Sequence, residues 1–147
     1  MFQHAVLRVI AKLLMPPIFL FALYVQFHGD YGPGGGFQAG VIFGAGFILY
    51  ALIFGLADAC KVIPESALRI TLSLGVLIYA GVGIAGLVLG GNFLDYSPLA
   101  HEAREGQHLG ILLVELGVGI TVSAAMIVIF VRFAQHVQEM RKEEDGA

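Results

Sequence analysis

Four long apolar stretches, separated by short polar or glycine-rich segments, dominate the chain. A helix needs about 20 apolar residues to cross a bilayer. Residues 9–27, 37–57, 68–89 and 109–133 each provide a run of about that length. Loops 28–36, 58–67 and 90–108 lie between them, and a charged segment, 134–147, follows. This pattern predicts an all-α integral membrane protein, a four-transmembrane-helix bundle forming a single membrane domain over residues 1–147. Arg8 and Lys12, ahead of an apolar run, could suggest a cleaved signal peptide. The apolar run 13–27 is long for that purpose, carries Pro16-Pro17 and has no A-x-A site, so it reads as a retained span.

Composition strengthens this reading. Hydrophobic residues make up 58% of the 147 positions and charged residues 13%, with a mean hydropathy of +0.85. A soluble domain would carry roughly a quarter charged residues. Much of the outer surface is therefore expected to face the lipid bilayer of the cell (inner) membrane. Basic residues set the expected direction. Arg8, Lys12, Lys61, Arg69, Arg132, Arg141 and Lys142 flank one side, and Arg104 alone flanks the other. That bias places both termini and the 58–67 loop in the cytoplasm and the other two loops outside. A net charge of -3 and the lack of any basic run argue for no nucleic acid partner. A single cysteine, Cys60, rules out an internal disulfide and a cysteine metal cage.

Glycine occurs 20 times, and its placement is patterned. Gly40 and Gly44 form one GxxxG pair and Gly86 and Gly90 another, with Gly75, Gly81, Gly83, Gly117 and Gly119 adding bare patches. Such patches let helix backbones approach closely in lipid. They serve either packing among the four helices or packing against other subunits. Their presence on three spans favours the second.

The most unusual segment is the first loop, His28-Gly29-Asp30-Tyr31-Gly32-Pro33-Gly34-Gly35-Gly36-Phe37-Gln38-Ala39-Gly40. It is not a phosphate-binding P-loop, because no lysine or arginine occurs between Lys12 and Lys61. Gly34-x-Gly36-x-x-Ala39 matches a dinucleotide fingerprint only formally, since a membrane helix rather than a strand precedes it. Pro33 stops helical continuation, and the three glycines open backbone conformations closed to other residues. Irregular backbone is tolerated at membrane depth only where it is buried in protein or lines a polar cavity. The loop is therefore either an external turn or a packing or gating element near an ion path. Its backbone is expected to leave less room for a side chain than the third loop does at Gly91.

One carboxyl, Glu115, falls clearly inside a span, about two turns from the outer end of the fourth. An intramembrane carboxyl is costly unless protonated, paired or near water, so it is either an interface residue or part of an ion path. No lysine or arginine sits near the middle of any span, so a lone carboxyl cannot form a relay within this chain. In the third loop, His101, Glu105 and His108 would share a face if helical, but a di-metal bundle needs two Glu-x-x-His steps and the sequence has one. Asp95 and Tyr96 add acid and aromatic groups on the same side. No nucleophile–base pair or cofactor ligand set is visible, which argues against an enzyme and for no cofactor.

The segment Pro33-Gly34-Gly35-Gly36-Phe37 after a first span resembles the signature of the MnhB-like family, small subunits of the multisubunit Mrp-type sodium/proton antiporters. A related module occurs in membrane-bound hydrogenase complexes. The stretch Gly110-Ile111 through Glu115-Leu116-Gly117-Val118-Gly119-Ile120-Thr121-Val122 is similar to the family's last span. The likeness covers most of the chain. The family commonly has a Gly-His-Asn lead-in to the proline, whereas this chain has Gly29-Asp30-Tyr31-Gly32, with Asp30 in place of the histidine. The resemblance implies a small subunit of a sodium/proton antiporter, needed for assembly and contributing to the cation branch. Its partners would be the other membrane subunits, with Na+ and H+ as the transported ions. Asp30, Pro33, Gly34, Gly35, Gly36, Phe37 and Glu115 are the ion-path or transport candidates. An accessory subunit of a redox-driven complex such as a hydrogenase is the alternative. An autonomous oligomeric transporter is disfavoured by the single buried carboxyl and the absence of a visible inverted repeat.

Overall fold

The computed structural model describes residues 2–29 and 32–145 and is built of helices joined by short connections. Four helices are long and apolar enough to cross a membrane. They are α1 (Phe2–His28), α2 (Gly36–Phe54), α4 (Glu65–Val88) and α5 (Ala103–Asp145). A short α3 (Leu56–Val62) separates α2 from α4, and a single 3-10 turn (Ser97–Leu99) lies between α4 and α5. Their apolar side chains largely point outward: Leu13 and Leu52 are exposed, and Val88 is 80% exposed. Such surface is stable against lipid and not against water. The chain is a multi-pass membrane protein.

Helix boundaries follow local chemistry. Pro16 and Pro17 lie inside α1, so two N–H donors are missing there and the carbonyls of Lys12 and Leu13 lose their usual partners. Neighbouring helical bonds carry α1 through. Hydropathy alone extends the second span to residue 57, but α2 stops at Phe54, because Gly55 takes φ +101 and redirects the backbone into α3. Pro64 then precedes the first turn of α4, a position where its missing N–H costs little. The far end of α5 is the largest difference from the hydropathy reading. The charged segment after residue 133 continues the same helix to Asp145, giving a rod of 43 residues, or about 64 Å. Hydropathy reports the medium around a segment, not its backbone conformation.

The helices form an open bundle in which α5 is central. It packs against α2 on one side and α4 on the other, while α1 packs mainly on α2. The α2–α5 seam is lined by glycine: a Cβ at Gly40 would stand 2.6 Å from the Gly119 carbonyl, and one at Gly44 would stand 3.2 Å from the Met126 Cβ. The α4–α5 seam mirrors it, with Gly75 against Gly117 and Thr121. At Gly40, Gly44, Gly75, Gly117 and Gly119 the patches are taken up by packing within the chain, which corrects for those positions the expectation that they mainly serve other subunits. Dispersion between close backbones needs matched bare faces, and α5 supplies one to each neighbour. Gly81 differs, with open space around it.

The apolar core lies at the α3 end, where Phe47, Ala51, Ala59, Leu68, Ile127 and Val131 meet. Polar ties hold the same end. Glu65 accepts a 2.7 Å ion pair from Arg132 and a 2.6 Å hydrogen bond from Gln135, joining the start of α4 to α5. On exposed α3, Lys61 donates to Asp58 at 2.8 Å. That bond, with the charge it carries, lowers the Asp58 pKa and raises that of Lys61. Lys12 stands 5.7 Å above the Phe54 ring. The opposite end holds the glycine loop and Glu115, with the core anchoring the helices away from it.

Candidate functional site

The site forms where α1 ends, the glycine loop turns and α2 begins. The Gly35 amide donates to the Val25 carbonyl at 3.2 Å, folding the loop back over the last turn of α1. The Gly35 carbonyl then accepts from Ala39 at 3.1 Å and starts α2. Gly35 has φ +124, a conformation that side chains rarely adopt, so glycine is required there by geometry. Both Gly35 and Gly36 are buried.

Glu115 lies against this turn. A Cβ at Gly29 would stand 2.7 Å from its Oε2 and 2.9 Å from its Oε1, and one at Gly35 would stand 2.8 Å from Oε1. At Gly36 a Cβ would collide with the Glu115 backbone carbonyl. The three glycines therefore do separate work. Gly29 and Gly35 leave space for the carboxylate, and Gly36 lets α2 touch the α5 backbone. The loop is a close-fitting cover for one carboxyl, more than a plain turn requires.

Beside the carboxylate a crevice of about 310 Å³ opens on the α2–α5 face, lined by Gly34, Gly35, Gly36, Phe37, Gln38, Val114, Glu115 and Val118. Of the sequence candidates it unites Gly34, Gly35, Gly36, Phe37 and Glu115. Phe37 is 63% exposed, so its ring forms a wall rather than a buried plug. Pro33 is exposed and does not line the crevice. Asp30 lies outside the described residues. Of the third-loop trio, Glu105 and His108 fall on α5 and His101 precedes it; no cluster of three or more metal-ligating side chains is found among the described residues. In that loop Tyr96 packs on Gly106 and Gly110, and burial raises its pKa, with the nearby Tyr79 as a lesser cause.

Two site residues escape sequence reasoning. Gly29 is hidden among five loop glycines and owes its role to a carboxylate 86 positions away. Gln26, on the last turn of α1, is only 5% exposed, and its Oε1 would stand 2.6 Å from a Cβ at Gly119. A lone amide near the end of a span gives no sequence signal of such burial.

The expected contrast between Gly35 and Gly91 needs a different reference position. A Cβ at Gly91 would meet Pro98 Cγ at 2.9 Å, so that loop is crowded too. Gly81 offers open space. Gly35→Val should therefore cut transport severely while Gly81→Val leaves it near wild type, both read as antiport in everted vesicles at matched membrane levels. Equal transport by the two variants would reduce the loop to an ordinary turn.

Comparison with known proteins places this arrangement. A family model described as "Domain related to MnhB subunit of Na+/H+ antiporter" matches residues 6–128. Curated relatives named "Putative antiporter subunit mnhB2" from Staphylococcus haemolyticus (strain JCSC1435) and Staphylococcus aureus (strain Newman) are each 33% identical over 134 residues. In each case the match covers 84% of this chain and 94% of the relative. The matched region contains the glycine loop, Gln26 and Glu115, and the chain belongs to the MnhB family of Na+/H+ antiporter-related domains.

Proposed function

We propose that this chain is a small, non-catalytic membrane subunit of a multisubunit cation/proton antiporter, needed for assembly and contributing a carboxylate to the cation path. The observation that carries the reading is the seating of Glu115 under the Gly29–Gly36 turn, beside an open crevice. A carboxyl at membrane depth is retained where it meets water, a cation or a partner. This one has close backbone on one side and an opening on the other, which suits contact with an ion or a neighbouring subunit. The names of the relatives favour an antiporter over a redox-driven complex. Na+ and H+ are the ions assigned, and the larger membrane subunits supply the remaining relay groups, since one carboxyl cannot pass protons alone. Purification of the tagged chain from mild detergent should bring antiporter subunits with it, and recovery of the chain by itself would count against the reading.

We also place Arg8, Lys12, Lys61, Arg69 and Arg132 at the cytoplasmic surface, with both termini there, on the bias of basic residues. The Glu115 crevice then opens toward the outer leaflet. Cys60, on half-exposed α3, reports this directly. In sealed cells an impermeant thiol reagent should fail to label it, and in everted vesicles it should succeed. Labelling in sealed cells would reverse the orientation.

A further inference from the structure

Gln26 is the one polar side chain among the described residues that is buried with an unpartnered atom: its Nε2 is enclosed and has no hydrogen-bond partner. A buried amide hydrogen left unsatisfied is costly, more so in a membrane where no bulk water can reach it. The surroundings are polar for a helix seam. The Gln26 Oε1 and the Gly36 carbonyl stand 2.6 Å and 3.1 Å from the point where a Gly119 Cβ would be. Gly119 follows Glu115 by one helical turn, about 6 Å along the axis. Three helices thus bring an amide, a backbone carbonyl and a carboxyl-bearing turn to one place.

We propose that Gln26 binds an internal water molecule in the seam of α1, α2 and α5, and that this water extends the hydration of Glu115 inward, making Gln26 a positioning residue for it. The proposal rests on the assignment of Glu115 to the ion path. Enclosure narrows the ligand. The amide is buried within this single chain, so a side chain from another subunit cannot reach it without displacing a helix. An N–H donor does not ligate a cation. Water satisfies the amide, because its oxygen accepts from the N–H while its own hydrogens donate onward. Buried waters occupy such sites, bonded to polar groups that would otherwise go unpaired. Glycine at 119 is part of the design, since any side chain there would expel the amide.

The test uses the assembled complex. Gln26→Leu keeps the approximate size and removes the amide, so helix packing and assembly should persist. Sodium-dependent proton movement should fall roughly tenfold, the scale set by one hydrogen bond to a charged group. Gln26→Asn retains an amide with space for a second water and should recover most of the transport, a rescue that a packing role would not give. In a map of the wild-type complex that resolves waters, a peak should lie within hydrogen-bonding distance of the Gln26 amide. Wild-type transport by an assembled Gln26→Leu complex would overturn the proposal. So would an empty site in that map, which decides the matter if the leucine variant fails to assemble. A water at Gln26 together with normal transport by Glu115→Gln would support the water site and sink the ion-path reading, so the two fail separately.

Discussion

Glu115→Gln should leave the complex assembled while reducing sodium-dependent proton movement by roughly tenfold or more. Glutamine has nearly the same size and fits under the Gly29–Gly35 turn, so the cover should close over it. What it lacks is an ionisable proton and the negative charge that attracts a cation. A charged hydrogen bond or ion contact is worth about 1.5–3 kcal/mol, a factor of ten or more. The measurements are co-purification of partner subunits and fluorescence-monitored antiport in everted vesicles over a range of pH. Wild-type transport with intact assembly would remove Glu115 from the ion path. Loss of assembly would make it an interface residue whose carboxylate contacts another subunit.

The second large effect is expected at Gly36. A methyl there collides with the backbone carbonyl of Glu115, and backbone has no rotamer by which to give way. Gly36→Ala must therefore push α2 from α5 at the mouth of the site. Overpacking of this kind costs about 1–3 kcal/mol, occasionally more, and a rigid neighbour puts this position at the upper end. Thermal melting of the purified complex should show a clear drop, together with lower membrane levels. Gly81→Ala, facing open space, should melt at or above the wild-type temperature. Similar melting of the two variants would mean that the α2–α5 seam yields more readily than its geometry implies.

Much of this architecture is legible in the amino-acid order. The four apolar runs reveal the spans because lipid imposes a length that few soluble segments reach. Glu115 stands out because a carboxyl within such a run is costly. The glycine loop stands out because a proline and three glycines exceed the needs of a turn. Their meeting is not legible. It depends on the rotation of α5 about its axis, and that rotation is fixed by Gly119 opposite Gly40 and by Gly117 opposite Gly75, pairs that only folding brings together. Glycine patches alone cannot tell an inner seam from an outer one. Gln26 is hidden for a related reason, since its burial arises from the absence of a side chain on Gly119. The end of α2 is misjudged because Gly55 stops it by conformation while the apolar run continues.

The uninterrupted length of α5 carries a mechanical consequence. A helix bonded along its whole axis transmits rotation as a stiff shaft does. Glu115 and Phe133 are 18 residues apart, and at 3.6 residues per turn they share one bearing. The exposed Phe133 ring, at the end of the apolar run just beyond the Arg132–Glu65 tie, therefore marks the bearing of Glu115 on the helix. A probe on that ring would register any turning of α5 against its neighbours. A few degrees of torque at the protruding end would sweep the carboxyl sideways beneath its glycine cover by the same angle.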